Sequence, residues 1–98
     1  MSADPTHELI AMRAEIDALN LALRNLLQQR AQLCRRIARH KRRYGLPLVD
    51  PSREADMVMK LLRDCGDGFS PESLARILSA LLDESRSIVI DEGAERSD

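Results

Sequence analysis

The chain has 98 residues, a length that suits one domain, and 44% of them are apolar. Aromatic residues make up only 2% and the formal net charge is −1, which does not match a general nucleic-acid binder. No apolar run approaches the roughly 20 residues that cross a membrane, and the N-terminus is polar, so we expect a cytoplasmic protein that binds neither nucleic acid nor membrane. Abundant Leu, Ala, Arg and Glu favour an all-α fold.

The first predicted helix is unusually long. The sequence has no Pro or Gly between Pro5 and Gly45, and apolar residues recur mostly at alternating steps of three and four, the pattern of a heptad seam. This apolar seam consists of Leu9, Met12, Ile16, Leu19, Leu23, Leu26, Leu33 and Ile37. Asp4 is suited to cap a helix that has Pro5 at its first position. We predict a helix over about residues 5–43.

The length of this helix predicts a second copy of the chain. At about 1.5 Å per residue the helix is about 60 Å long, whereas a compact domain of this size is about 30–35 Å across. The seam is apolar along most of that length, so the part that extends beyond the domain needs an apolar cover. The simplest cover is a partner chain of the same sequence, and we predict an intertwined homodimer.

Two shorter helices are expected to follow. Asp50-Pro51 and Ser70-Pro71 are further cap-then-proline starts, and glycines separate two apolar stripes. The stripes are Met57, Val58, Leu61, Leu62 and Cys65, then Leu74, Ile77, Leu78, Leu81, Leu82, Ile88 and Val89. The predicted ranges are about 51–65 and 71–91 for the helices, 92–98 for a disordered tail and 1–98 for a single domain.

Metal and disulfide chemistry are not indicated by the sequence. Cys34 and Cys65 fall at apolar positions of helical patterns, which predicts two buried free thiols in a reducing compartment. His40 has no second His or Cys at ligand spacing, so we predict no metal site.

A charged residue interrupts the apolar seam at Arg30. A charge in a seam is costly unless it is paired, so Arg30 is either a snorkelling or ion-paired side chain or part of an anion site inside the bundle. Lys41 lies eleven residues later, on the same helix face and about 16 Å along the axis. Two long cationic side chains at this spacing can reach one small dianion between them, which favours the anion site.

Other candidate residues each have a structural interpretation beside a functional one. Arg13 is about 25 Å from Arg30 along the helix, so it is either a surface charge or a contributor to the site of an antiparallel partner. Asp50 can cap the second helix, and Glu54 suits its first turn. Ser85 interrupts the third helix's stripe, and its hydroxyl can bond back to its own helix. Polar groups on the inner faces of all three helices favour a functional site.

Five short segments carry a recognisable order of residues. They are Met12–Asn20 (compare Leu-Arg-x-x-Ile-Asp-x-Ile/Leu-Asp), Leu26–Arg30 (Leu-Leu-x-x-Arg), Ile37–Lys41 (Ile/Val-x-x-x-Lys), Gly45–Glu54 (a loop ending in Asp-x-x-Arg-Glu) and Asp83–Ser85 (an acidic residue, then Ser). Together, over residues 9–89, they resemble the small, all-helical chorismate mutase family. The resemblance implies an intertwined dimer of three-helix chains and an isomerase of the shikimate pathway. That enzyme rearranges chorismate to prephenate, in aromatic amino acid biosynthesis, without a cofactor.

The resemblance also implies how the substrate is held. Arg30 would bind one carboxylate, the partner's Arg13 the other, and Lys41 a carboxylate and the ether oxygen. The Claisen rearrangement needs no nucleophile or acid–base pair, so the enzyme contributes conformational restraint and stabilisation of the negative charge that grows on the ether oxygen.

One position departs from the family's pattern. By resemblance Glu54, with Asp50 and the start of the second helix at Arg53, would face the ring hydroxyl, and Ser85 would complete the carboxylate contacts. Four residues after Ser85 the family usually has Gln, or sometimes Glu, as a second donor to the ether oxygen, whereas this chain has Val89. Loss of such a donor can cost about 3–4 kcal/mol of transition-state stabilisation.

This departure leaves three hypotheses. The first is a chorismate mutase, and the second is a mutase or lyase acting on an analogue, either 4-amino-4-deoxychorismate or isochorismate. The third is a non-catalytic helical dimer, against which the cations at Arg30 and Lys41 argue, because a scaffold gains little from buried charge. Glu92, one turn beyond Val89, could replace the missing donor only when protonated.

Overall fold

A computed structural model describes residues 4–95, and the side chains of residues 4–92. Three helices make up this part of the chain: α1 (Pro5–Arg43), α2 (Pro51–Leu62) and α3 (Pro71–Glu95), and no strand occurs within it. The all-α, three-helix prediction is confirmed. Within the same residues, no helix has the length and apolar character needed to cross a bilayer.

All three helices begin with a side-chain N-cap that is followed by a proline. The side-chain oxygen Oδ1 of Asp4 accepts a hydrogen bond from the Thr6 amide at 3.1 Å, and Oδ1 of Asp50 accepts one from the Arg53 amide at 3.1 Å. Ser70 Oγ accepts from the Ser73 amide, also at 3.1 Å. Each cap satisfies an amide that the first helical turn leaves without a partner, and a proline follows each cap at the first helical position. The helix starts are therefore encoded locally.

The chain divides into two compact units, residues 1–32 and 33–98, with the boundary inside α1. The first unit is helical from Pro5 onward, and every residue from 4 to 29 is exposed. Its seam residues are between 43% and 64% exposed, from Leu9 at the low end to Leu19 at the high end. The seam thus forms as predicted, but nothing within this unit covers it. The single-domain prediction stays a prediction.

The second unit holds the core. Ala38 of α1 is fully buried and Leu78 of α3 is 9% exposed. Eight further apolar side chains of α2 and α3 are half-buried, namely Met57, Val58, Leu62, Leu74, Leu81, Leu82, Ile88 and Val89. Most positions of the two predicted stripes are therefore at least partly buried, whereas Leu61 and Ile77 remain exposed.

The predicted end of the second helix is wrong. α2 ends at Leu62 rather than at Cys65, because the chain leaves helical geometry at Arg63 (ψ 127°) and Asp64 adopts a positive φ of 50°. Aspartate tolerates this left-handed conformation better than most residues, so it ends the helix before the first glycine is reached. Cys65 lies beyond the helix, and both it and Cys34 are half-buried rather than buried, with no disulfide between them.

The predicted tail also begins too early. α3 continues to Glu95, so residues 92–95 are helical, while 96–98 lie outside the described residues. Glu92 is only 6% exposed, and its Oε1 accepts a hydrogen bond from Arg39 Nε at 2.6 Å. This ion pair fastens the last turns of α3 to α1, which explains why the acidic end of the chain does not leave the helix there.

The Arg39–Glu92 pair should contribute measurably to stability. We expect Glu92→Gln and Arg39→Met each to lower the free energy of unfolding by about 1–2 kcal/mol, because each removes a charge-assisted bond from a nearly buried carboxylate. The double variant should lose less than the sum, with a coupling of about 1 kcal/mol since Arg39 is half exposed. Urea unfolding at a fixed protein concentration measures these free energies. The control is a second double-mutant cycle in which the exposed Arg36→Met replaces Arg39→Met. Strict additivity would contradict the pair's role.

Candidate active site

The predicted site residues divide between the two units. Arg13 and Arg30 lie in the first unit, where Arg13 is exposed and Arg30 is half-buried at the interrupted seam position. The remaining six lie in the second unit: Lys41, Asp50, Arg53, Glu54, Ser85 and Val89. The second unit therefore carries the larger part of the candidate site.

Lys41 is a half-buried cation in the last turn of α1. Its Nζ donates a hydrogen bond to the Leu48 carbonyl at 3.3 Å, and its own carbonyl accepts from the Leu46 amide at 2.7 Å. Backbone and side chain of Lys41 are thus both tied to the connection between α1 and α2. The bond to Leu48 uses one of three ammonium donors, so the group is positioned and has further donors for an anion.

Asp50 and Glu54 lie at the start of α2. Asp50 caps the helix through its bond from the Arg53 amide, as the structural interpretation of this residue predicted. Asp50 and Arg53 are exposed, whereas Glu54 is half-buried, with its side chain 22% exposed. The cap fixes the first turn and with it the direction in which Glu54 leaves the helix.

An arginine that the sequence analysis did not identify holds Glu54. The Arg86 guanidinium donates from NH2 to Glu54 Oε2 at 2.7 Å and from NH1 to Asp83 Oδ1 at 2.8 Å. The hydrogen bond to Glu54, followed by the attraction of its charge, raises the pKa of Arg86 above its ordinary value. Arg86 therefore joins α2 to α3 through the acid that is predicted to face the substrate ring. The only signal in the sequence for this role of Arg86 was its position next to Ser85 and three residues after Asp83.

Ser85 and Val89 lie on α3, and both are half-buried. The Ser85 hydroxyl donates to the Leu81 carbonyl at 2.7 Å, one turn earlier, which is the back-bonding that its structural interpretation predicted. The Val89 carbonyl accepts from Arg42 NH2 at 3.2 Å. Since Glu92 accepts from Arg39, its carboxylate is engaged as an acceptor, which argues against its use as the missing donor.

The described residues contain no group of three or more His, Cys, Asp and Glu side chains arranged to hold a metal ion. The candidate residues supply cations, carboxylates and one hydroxyl, a set that can bind an anionic ligand.

The sequence matches the family model described as chorismate mutase type II over residues 12–89. The chain belongs to this family. The match begins before Arg13 and ends at Val89, so all the predicted site residues lie inside the family's segment. The resemblance inferred from five short motifs is confirmed.

Individual relatives agree with this placement. The T-protein of Enterobacter agglomerans is 34% identical over 87 residues, which are 88% of this chain but 23% of that protein. The 4-amino-4-deoxychorismate mutase of Streptomyces venezuelae is 33% identical over 79 residues, 80% of this chain and 77% of that protein. A solved chorismate mutase from Thermus thermophilus superposes with a TM-score of 0.81 at 28% identity, covering 93% of this chain and 98% of that one. The chain thus spans about a quarter of the length of the first relative and most of the other two.

Proposed function

We propose that this chain catalyses the Claisen rearrangement of chorismate to prephenate, a step of aromatic amino acid biosynthesis. The observation that carries the proposal is the family match, which includes every candidate residue and covers residues 12–89. The second unit adds a half-buried, positioned cation at Lys41 and a half-buried carboxylate at Glu54.

The proposed chemistry requires only binding and charge. In the rearrangement the ether C–O bond breaks while a C–C bond forms within the same molecule, so no group is transferred to the protein. Negative charge grows on the ether oxygen as its bond to carbon lengthens. A cation fixed at that oxygen stabilises the transition state more than the ground state, and this is the role proposed for Lys41.

The substrate's two carboxylates and its ring hydroxyl need separate contacts. Arg30 and the partner's Arg13 would bind the carboxylates, with Ser85 completing those contacts. Glu54 would accept a hydrogen bond from the ring hydroxyl at C4, with Asp50 and the Arg53 end of α2 nearby. These contacts hold the substrate in the compact conformer from which the reaction proceeds, which lowers the entropic part of the barrier.

A homodimer supplies the partner's Arg13 and covers the seam. All eight seam residues of α1 are at least 43% exposed in the single chain. A long helix with an uncovered apolar stripe is not stable alone in water, because most helix stability comes from packing that stripe. A second copy presents the same stripe, and burying both stripes would contribute on the order of 10 kcal/mol.

A second candidate reaction has specific support. The Streptomyces venezuelae relative, 33% identical, is named for the mutase reaction of 4-amino-4-deoxychorismate. Val89 in place of the family's usual Gln also leaves open which substrate the site serves best. We propose chorismate as the principal substrate and the amino analogue as the alternative. We also propose a cytoplasmic location, as expected from the sequence.

Purified protein should convert chorismate. We expect loss of chorismate absorbance, with prephenate identified as the product, without added metal or cofactor. Conversion would also show that Val89 is tolerated in place of the second donor. A folded dimer that leaves chorismate unchanged but converts 4-amino-4-deoxychorismate would replace the principal substrate with the alternative.

Lys41→Ala should lower kcat by about 10²–10³, with a smaller change in KM, because the ammonium acts on charge that is present mainly in the transition state. Steady-state kinetics on chorismate measure the two constants. Lys60→Ala is the matched control, since Lys60 is the chain's other lysine and is exposed on α2. Equal losses in kcat/KM and in binding, with kcat retained, would assign Lys41 to uniform substrate binding.

Arg13→Ala and Arg30→Ala should each be inactive, yet activity should return when the two variants are mixed and exchange subunits. A mixed dimer has one site with both arginines intact, so a 1:1 mixture should recover about a quarter of the wild-type activity. Each variant incubated with itself is the control. Proven exchange without recovery would contradict a site shared between the two chains.

A further inference from the structure

The carboxylate proposed to face the substrate ring is already paired with a cation. Arg86 NH2 lies 2.7 Å from Glu54 Oε2, and the side chains of the two residues are 40% and 22% exposed. A charge-assisted bond of this length at a half-buried position is held more firmly than a surface pair. Arg86 therefore occupies one oxygen of Glu54 and offsets much of its charge, and the proposed contact with the substrate ring falls to the other oxygen.

Two other acids near this position do not restore the negative charge. Asp83 shares the Arg86 guanidinium at 2.8 Å, but its side chain is 68% exposed, so solvent screens its charge. Asp50 Oδ1 is engaged as the α2 cap by the Arg53 amide at 3.1 Å, and Asp50 is exposed to solvent, where water and salt screen its charge. The start of α2 also carries the positive end of the helix dipole. Taken together, the groups at this end of the site can accept a hydrogen bond but attract a cation only weakly.

We infer that Arg86 is a specificity-determining residue that makes this site select a neutral hydroxyl over an ammonium at C4 of the substrate ring. The inference rests on the proposed function, in which Glu54 faces that ring position. A hydroxyl donates to the Glu54 carboxylate at no electrostatic penalty. An ammonium bound to Glu54 would share that carboxylate with the Arg86 guanidinium, whose NH2 lies 2.7 Å from Oε2, so the repulsion between the two cations would offset the attraction of the carboxylate.

Two substrates that differ only at C4 test this inference. The kcat/KM values are measured for chorismate and for 4-amino-4-deoxychorismate, whose C4 substituent is an ammonium at neutral pH. Wild-type protein should prefer chorismate by about tenfold or more. Arg86→Met should reduce that preference by about tenfold, because the freed Glu54 charge then favours the ammonium.

Two further variants separate charge from structure. Arg86→Lys keeps a cation beside Glu54 and should keep the wild-type preference. Arg76→Met makes the same exchange on α3 at an exposed arginine whose NH2 donates to Ser73, and it should leave the preference unchanged. Circular dichroism and sedimentation establish that each variant is folded and has the wild-type oligomeric state.

The outcomes are distinguishable. A preference that falls in Arg86→Met but not in Arg86→Lys or Arg76→Met supports the inference. Equal losses on both substrates in Arg86→Met would show that Arg86 is only a positioning residue for Glu54 and would overturn it. A wild-type preference for the amino compound would overturn it whether or not the variants fold. Wild-type protein that converts neither compound would overturn the proposed function and this inference together.

Discussion

The apolar seam of α1 is the constraint on which the proposed architecture depends. At 39 residues α1 is about 58 Å long, whereas α2 and α3 have 12 and 25 residues. Residues 4–29 are exposed without exception, so the first unit has no core of its own. In the proposed dimer, folding of this unit and completion of the site require the same event. The partner chain would cover the seam and supply its Arg13, since Arg13 lies about 25 Å along the helix from Arg30 of its own chain. Stability and activity would then be linked through association.

The basic segment at the end of α1 shows how charge organises the second unit. Three cations of residues 35–43 make contacts within the unit: Arg39 with Glu92, Arg42 with the Val89 carbonyl, and Lys41 with the Leu48 carbonyl. Two of these bonds fasten the last turns of α3, and the third ties the following loop. A row of cations along one helix end thus holds the elements that carry the proposed site residues.

Helix starts and apolar stripes were predictable because they depend on neighbours in the sequence. Asp4, Asp50 and Ser70 act within three residues of themselves, and the stripes follow helical periodicity. The end of α3 and the role of Arg86 were not predictable, since Glu92 and Arg39 are 53 residues apart and Arg86 and Glu54 are 32 apart. No local pattern distinguishes a paired arginine from a solvated one. The end of α2 was mispredicted for a different reason, namely that Asp64 adopts a left-handed conformation usually assigned to glycine.

Val89 affects how much of the proposed catalysis comes from stabilisation of transition-state charge and how much from restraint of the substrate's conformation. The family's usual Gln would add a second donor at the ether oxygen, and its absence can cost about 3–4 kcal/mol. With Lys41 as the remaining donor, its placement becomes more important, because a poorly oriented cation stabilises the ground state as well as the transition state. The two bonds that tie Lys41 to Leu46 and Leu48 provide such placement. In the proposed site the apolar Val89 side chain would also lower the capacity to solvate charge near the ether oxygen, which strengthens the effect of a nearby cation. Such a site would rely on one well-held ammonium and on substrate restraint rather than on a pair of donors.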